Sequence, residues 1–110
     1  MNIEFSNKKL KKQFSNATEI KKAFGEMAKK VSVRYDQMRN SPNLMIFMQI
    51  PAADCHQLKG NRTGEWAASI SVNHRLIFEI DHDPIPTNED NSIDTSEVTN
   101  IMITGTEDYH

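Results

Sequence analysis

At 110 residues the chain has room for one domain built on one hydrophobic core. No apolar run approaches the roughly 18 residues that a membrane span needs. The opening residues Met1-Asn2-Ile3-Glu4-Phe5 lack the charged and apolar regions of a signal peptide. A single cysteine, Cys55, excludes an internal disulfide framework and a cysteine-rich zinc site. These features lead us to expect a cytoplasmic protein with no membrane partner. A net charge of -2 argues at first against a nucleic-acid ligand, but the charge is unevenly divided. Residues 1–62 hold twelve Lys/Arg against five Asp/Glu, and residues 63–110 hold one Arg against ten acids. Seven of those acids lie between Glu79 and Glu97, so the rest of the chain is basic. Such asymmetry is a reason to consider an anionic partner.

Ile3 and Phe5 alternate with polar neighbours and predict a short opening strand. Ser6 is a candidate cap for the helix after it, where Leu10 and Phe14 form the apolar side and Lys8, Lys9, Lys11 and Lys12 the exposed one. Asn16 and Glu19 resemble a capping box, with Thr18 as an alternative cap. From there Ile20, Phe24, Met27, Val31, Tyr35 and Met38 recur every three or four residues, which predicts one long helix over about 18–39. Gly25 within it weakens a helix by about 1 kcal/mol relative to Ala. Ser41-Pro42 reads as a cap with proline in the first turn of a short helix to about Ile50, although a strand is also compatible.

Beyond Cys55 the period changes to two. Trp66, Ala68, Ile70 and Val72 alternate, and Leu76, Phe78 and Ile80 alternate again after Asn73-His74. A two-residue loop would put these apolar sets on opposite faces. A three-residue loop over 73–75 pairs Val72 with Leu76 and Ile70 with Phe78, so that both sets share one buried face. Arg75 then stands at the start of the second strand. The segment 82–97 is rich in Pro, Asn, Ser and acids and reads as an exposed loop, and Ile101 with Ile103 marks a last strand. The pattern is that of one α+β domain spanning 1–110, with a strand and two helices packed on a small antiparallel sheet.

No glycine-rich phosphate loop, nucleophile elbow or metal-ligand spacing is present, so neither a metal nor a cofactor is expected. Cys55 and His56 are neighbours in an extended segment, where their side chains diverge. The chemically rich segments are 55–66, Arg75 and the terminal Asp108-Tyr109-His110.

Taken in order, His56-x-Leu58-Lys59-Gly60, Gly64-x-Trp66, Val72-Asn73, Arg75-Leu76-Ile77-Phe78 and the final Asp108-Tyr109-His110 resemble the HigB toxins, a branch of the RelE superfamily of bacterial toxin–antitoxin pairs. The run Phe5 to Phe14 fits the family's opening as well, and the long second helix matches by position only. Gln57 stands where the family usually has proline and His74 where it usually has an aromatic residue. The loop before Arg75 is about two residues shorter than usual, and the acidic loop is longer than in compact members.

The resemblance implies a RelE-like fold and a ribosome-dependent endoribonuclease that needs no metal. The ribose 2′-OH would attack the adjacent phosphorus and expel the 5′-oxygen. Such a step requires a general base, a general acid and cations near the developing charge. His56 and His110 are the implied proton-transfer residues, with His110 as acid and His56 as base, or the reverse. Lys59 and Arg75 are the implied charge stabilisers. Tyr109 would contact a phosphate or stack on a base, and Asp108 would orient a histidine or Lys59. Lys8, Lys9, Lys11, Lys12 and Arg62 are the candidate RNA contacts. The implied partners are the 70S ribosome with its mRNA and a helix-turn-helix antitoxin of the HigA type, which would bring DNA in only indirectly. Two other expectations use the same fold: a ParE-like toxin that inhibits gyrase by protein contact, and a non-catalytic co-repressor that binds the antitoxin.

Overall fold

The computed structural model describes residues 1–108. Its strands are β1 (Asn2–Phe5), β2 (His56–Gln57), β3 (Glu65–Ser69), β4 (His74–Ile80) and β5 (Asn100–Asp108). Its helices are α1 (Lys8–Gln13), α2 (Ala17–Phe24), α3 (Ala28–Asn40) and α4 (Leu44–Met48). The five strands form one sheet in the order β1-β5-β4-β3-β2. The expected α+β class holds, but the sheet is mixed: β1 lies parallel to β5, while the other neighbours are antiparallel. A parallel pair needs a crossover, and the whole chain from α1 to β4 provides it. No helix among the described residues is long and apolar enough to cross a membrane.

The helix starts are set by asparagine. Asn7, Asn16 and Asn43 each accept, through the side-chain carbonyl, a backbone N–H three residues on. Each satisfies one of the donors left unpaired in a first turn. Asn16 with Glu19 is as expected, whereas the caps expected at Ser6 and at Ser41-Pro42 fall instead on Asn7 and Asn43. The single long helix is also corrected. Its apolar period continues, but Gly25 adopts φ 55° and ends α2, and a 3-10 turn (Gly25–Met27) redirects the chain into α3. Glycine reaches this backbone region without the clash that a Cβ would bring.

Trp66, Ala68, Ile70, Leu76, Phe78, Ile101 and Ile103 make one face of the sheet, and Leu10, Phe14, Ile20, Val31, Met38, Leu44 and Phe47 cover it from the helices. Phe14 joins the layers as an aromatic hub, with ring centroids 5.4 Å from Phe5, 5.4 Å from Phe24 and 5.0 Å from Tyr35. Arg34 is buried beside this core. Its Nε donates to the Ser69 carbonyl at 2.5 Å and its Nη2 to the Ala52 carbonyl at 3.1 Å, so α3 fastens both the end of β3 and the segment leading to β2. Burial pulls its pKa below the ordinary arginine value.

The β3–β4 turn preserves the expected sharing of faces but not the expected register. Trp66 pairs with Phe78 and Ala68 with Leu76, four residues away from the expected alignment. The Ile70 N–H donates to the His74 carbonyl at 2.8 Å, so the turn is Ser71-Val72-Asn73. Val72, expected on the buried face, is 90% exposed at its tip. The acidic segment between β4 and β5 is surface-lying as expected. It is organised by a Thr87–Ile93 bridge, by bonds from the Ser92 N–H and hydroxyl to Asp90, and by a 3-10 turn at Thr95–Glu97.

Candidate functional site

The second face of the sheet carries the charged residues. Strand register places them in rows. His56, Ala67, Ile77 and Gly105 form one row across four strands. Ser69, Arg75 and Glu107 flank it on one side, and Glu65 pairs with Glu79 on the other. Side chains two apart on a strand share a face, so His56, Glu65, Arg75 and Glu107 all belong to the face turned away from the helices. Ala67 and Ile77 are only 1% and 2% exposed on this face, yet they stand outside the helix-packed core.

A bulge in β5 decides which acid joins them. Ile77 pairs with Gly105 and Phe78 with Ile103, which leaves Thr104 as an extra residue. Its hydroxyl donates to the Ile77 carbonyl at 3.3 Å. Strict alternation from Ile101 and Ile103 would have turned Glu107 inward. The extra residue flips the remainder of the strand, so Glu107 faces outward and Asp108 falls on the helix side. There Asp108 lies opposite His74, with Oδ2 at 3.5 Å from Nε2. The structure thus separates Asp108 from His56 and Arg75 across the sheet. Tyr109 and His110 lie outside the described residues.

His56 is exposed on β2, while the preceding Cys55 is buried, so the two side chains diverge as expected. Burial pushes the Cys55 thiol up to about 12, which keeps it protonated and unreactive at neutral pH. The His56 Nδ1 lies 2.8 Å from the carbonyl oxygen of Asp54, a residue in left-handed conformation at φ 41°. A carbonyl only accepts, so Nδ1 carries a proton, and in the neutral imidazole Nε2 is then the acceptor. Lys59 is exposed at the end of β2, where the chain enters a 3-10 turn (Gly60–Arg62).

Arg62 reaches from that turn across the sheet. Its Nε and Nη2 donate to Glu65 at 2.8 and 3.0 Å, and its Nη1 and Nη2 donate to Glu107 at 2.8 and 2.5 Å. Because Glu65 is on β3 and Glu107 on β5, the guanidinium bridges two strands that flank β4. Arg75 adds a bond from Nη2 to Glu107 at 3.0 Å. Hydrogen bonds from Arg62 first, then from Arg75, hold the Glu107 carboxyl at about 2. The same bonds lower the pKa of Glu65 and raise that of Arg62. A depression of about 270 Å³ beside this cluster is lined by Glu65, Ile77, Gly105 and Glu107 among others.

Lys8, Lys9, Lys11 and Lys12 are exposed on α1, which packs on β1 and β5 with its apolar side toward the core. They belong to the helical layer, while His56 and Arg75 belong to the opposite side of the sheet. Glu65 and Glu107 were not among the expected site residues. The spacing of Arg62 and Glu65 held a local ion-pair signal, but no sequence signal reveals the bulge that recruits Glu107. Among the described residues no group of three or more His, Cys, Asp or Glu is placed to hold a metal ion.

No family model and no curated protein matches the sequence. Solved structures do match. The chain superposes along its whole length on all of a YoeB/ParE toxin from Agrobacterium tumefaciens, with a TM-score of 0.53 and 11% identity. It also superposes along its whole length on 97% of a chain of the YoeB-YefM complex from Staphylococcus aureus, with a TM-score of 0.51 and 21% identity. The compact α+β fold, with its five-stranded mixed sheet, is the fold of these proteins.

Proposed function

We propose that the chain is the toxin of a toxin–antitoxin pair and cleaves mRNA on the ribosome, with the HigB toxins as the branch it resembles. The observation that carries this reading is the register that sets His56 and Arg75 on one open face of the sheet, with Glu107 of β5 beside Arg75 three residues before the end of the sequence Asp108-Tyr109-His110. The fold shared with a protein described as a YoeB/ParE toxin supports it.

The reaction is a transesterification. His56 Nε2 takes the proton of a ribose 2′-OH, and the 2′-oxygen forms a bond to the adjacent phosphorus. The bond from phosphorus to the 5′-oxygen breaks, and His110 supplies the proton that the leaving oxygen needs. The products are a 2′,3′-cyclic phosphate and a 5′-hydroxyl. Imidazole suits both proton transfers because it titrates near neutrality. The Nδ1–H bond to Asp54 supports His56 as the base, since it leaves Nε2 as the acceptor. Arg75 and Lys59 stabilise charge on the phosphorane, and Tyr109 stacks on a base or contacts the phosphate. Asp108 lies on the helix side, where its carboxylate is 3.5 Å from His74 and orients that histidine. Lys8, Lys9, Lys11 and Lys12 form a separate basic surface toward ribosomal RNA. The antitoxin partner is of the helix-turn-helix HigA type.

The test is expression of the wild type beside His56→Ala and His110→Ala, with mapping of mRNA 5′ ends on translating ribosomes. Cleavage should fall by about 100-fold or more in each variant, the scale of a lost general acid or base. Growth arrest without cuts would replace this reading with inhibition by protein contact, and no arrest would replace it with a non-catalytic antitoxin-binding role.

A further inference from the structure

Arg62 is saturated. A guanidinium has five N–H donors, and four bonds already run from Arg62 to two carboxylates, paired bidentately on each. Glu107 is also shared, because it accepts from Arg75 as well. The four charges of Arg62, Arg75, Glu65 and Glu107 sum to zero. A face that is to hold a phosphate is therefore electrically closed in this state, and the carboxylate that closes it touches both cations.

We propose that Arg62 and Arg75 together form an anion site which Glu107 fills in the free protein, and that an RNA phosphodiester enters by exchange for that carboxylate. This rests on the reading of the face as a site that handles phosphate. The two carboxylates are not equivalent. Glu65 is three residues from Arg62 and belongs to the same loop-to-strand junction, so it orients the guanidinium locally. Glu107 is 45 residues away and is bonded to both arginines, so its departure gives up a contact of Arg62 and one of Arg75 at once. A phosphodiester presents two non-bridging oxygens that share one negative charge, as a carboxylate does, and can take over the same bidentate contact. Gly60 and Gly64 flank the segment that carries Arg62, with φ 73° and 91°, and give it joints at which the guanidinium can follow a phosphate. Protonation is not the release step: Arg62 keeps the Glu107 carboxyl at about 2, far below physiological pH. A competing anion is what remains.

Two probes test the exchange on the full chain: a 2′-O-methyl RNA oligonucleotide, whose blocked hydroxyl prevents cleavage, and inorganic tripolyphosphate. Glu107→Gln should tighten both by roughly tenfold, the scale of one charge-assisted hydrogen bond. It should also steepen the log–log salt dependence of RNA binding by about one unit, as one further phosphate contact does. Adding Arg62→Ala to that variant should remove the gain. If Glu107→Gln does not fold by circular dichroism, Glu107→Asp replaces it and should show a smaller gain in the same direction. Unchanged affinity for both probes in a folded variant would overturn the exchange even if the wild type cleaves on ribosomes. A gain that survives Arg62→Ala would overturn the role of Arg62. A gain for tripolyphosphate alone would overturn the phosphodiester as ligand. A gain for both probes in a protein that cuts no mRNA would sustain the anion site and reject the nuclease reading.

Discussion

The two faces of the sheet are built from the same strands and do opposite work. On the helix side, Trp66, Leu76, Phe78, Ile101 and Ile103 are held by non-directional apolar burial, which asks only for hydrophobic residues of suitable volume. On the other side, Ile77 and Ala67 are buried outside that core, on the face where Arg62, Glu65, Glu107 and Arg75 form a network of ion pairs. The first face tolerates changes of detail but not loss of volume. The second depends on directional bonds between partly exposed groups. If the face opens as proposed, ion pairs close it better than a packed helix would, because a competing charge displaces them at small cost.

The largest effect that separates the faces should come from Phe78→Ala. It should lower the unfolding free energy by about 3–5 kcal/mol in urea titrations, because it leaves a cavity between two well-packed layers. A loss below about 1 kcal/mol would show that the core is looser than its burial indicates. A smaller, pH-dependent effect should come from the other face. The Glu107 carboxyl is held at about 2, below its unfolded range, so its stabilising contribution is complete above that unfolded range. It should be lost as pH falls through about 2. Wild type should therefore exceed Glu107→Gln in melting temperature at pH 7, and the gap should close in strong acid. A gap independent of pH would mean that Glu107 stabilises by packing alone. The smallest effect should be that of Val72→Thr, which changes a residue 90% exposed at the turn tip. It should shift stability by less than about 0.5 kcal/mol, whereas a large loss would favour the register in which Val72 faces the core.

The expected elements were mostly correct, and the departures share a cause. Alternation in 66–70 and 76–80 was enough to show that both apolar sets share a face, because that parity is a local property of strands. It was not enough to show that Trp66 meets Phe78 rather than that Ile70 does, because several odd loops satisfy the same parity. The period of Ile20, Phe24, Met27, Val31, Tyr35 and Met38 was read as one helix. A bend at Gly25 that keeps apolar residues inward on both sides leaves that period nearly intact. The helix caps were misplaced by one or two residues because Ser6, Asn7, Ser41 and Asn43 are all able to cap, and the direction of chain entry chooses among them.

The candidate site divides in the same way. His56, Lys59 and Arg75 were singled out from motif order, and the register sets His56 and Arg75 on one face. Cys55 was correctly set apart from His56 by strand geometry. Arg62 was singled out as an RNA contact, but its engagement with Glu107 links residues 45 apart and leaves no mark in the sequence.

By itself, then, the sequence determined what depends on neighbours along the chain: the α+β class, the apolar side of each element, the basic α1 and the acidic segment before β5. Tertiary structure alone decided three matters. It set β1 parallel against β5, bent the helical run at Gly25, and inserted Thr104 as a bulge that turned Glu107 onto the face of Arg62 and Arg75. Each is a choice between arrangements of nearly equal local energy. Contacts between distant segments select one, because only they determine which surfaces are finally removed from water.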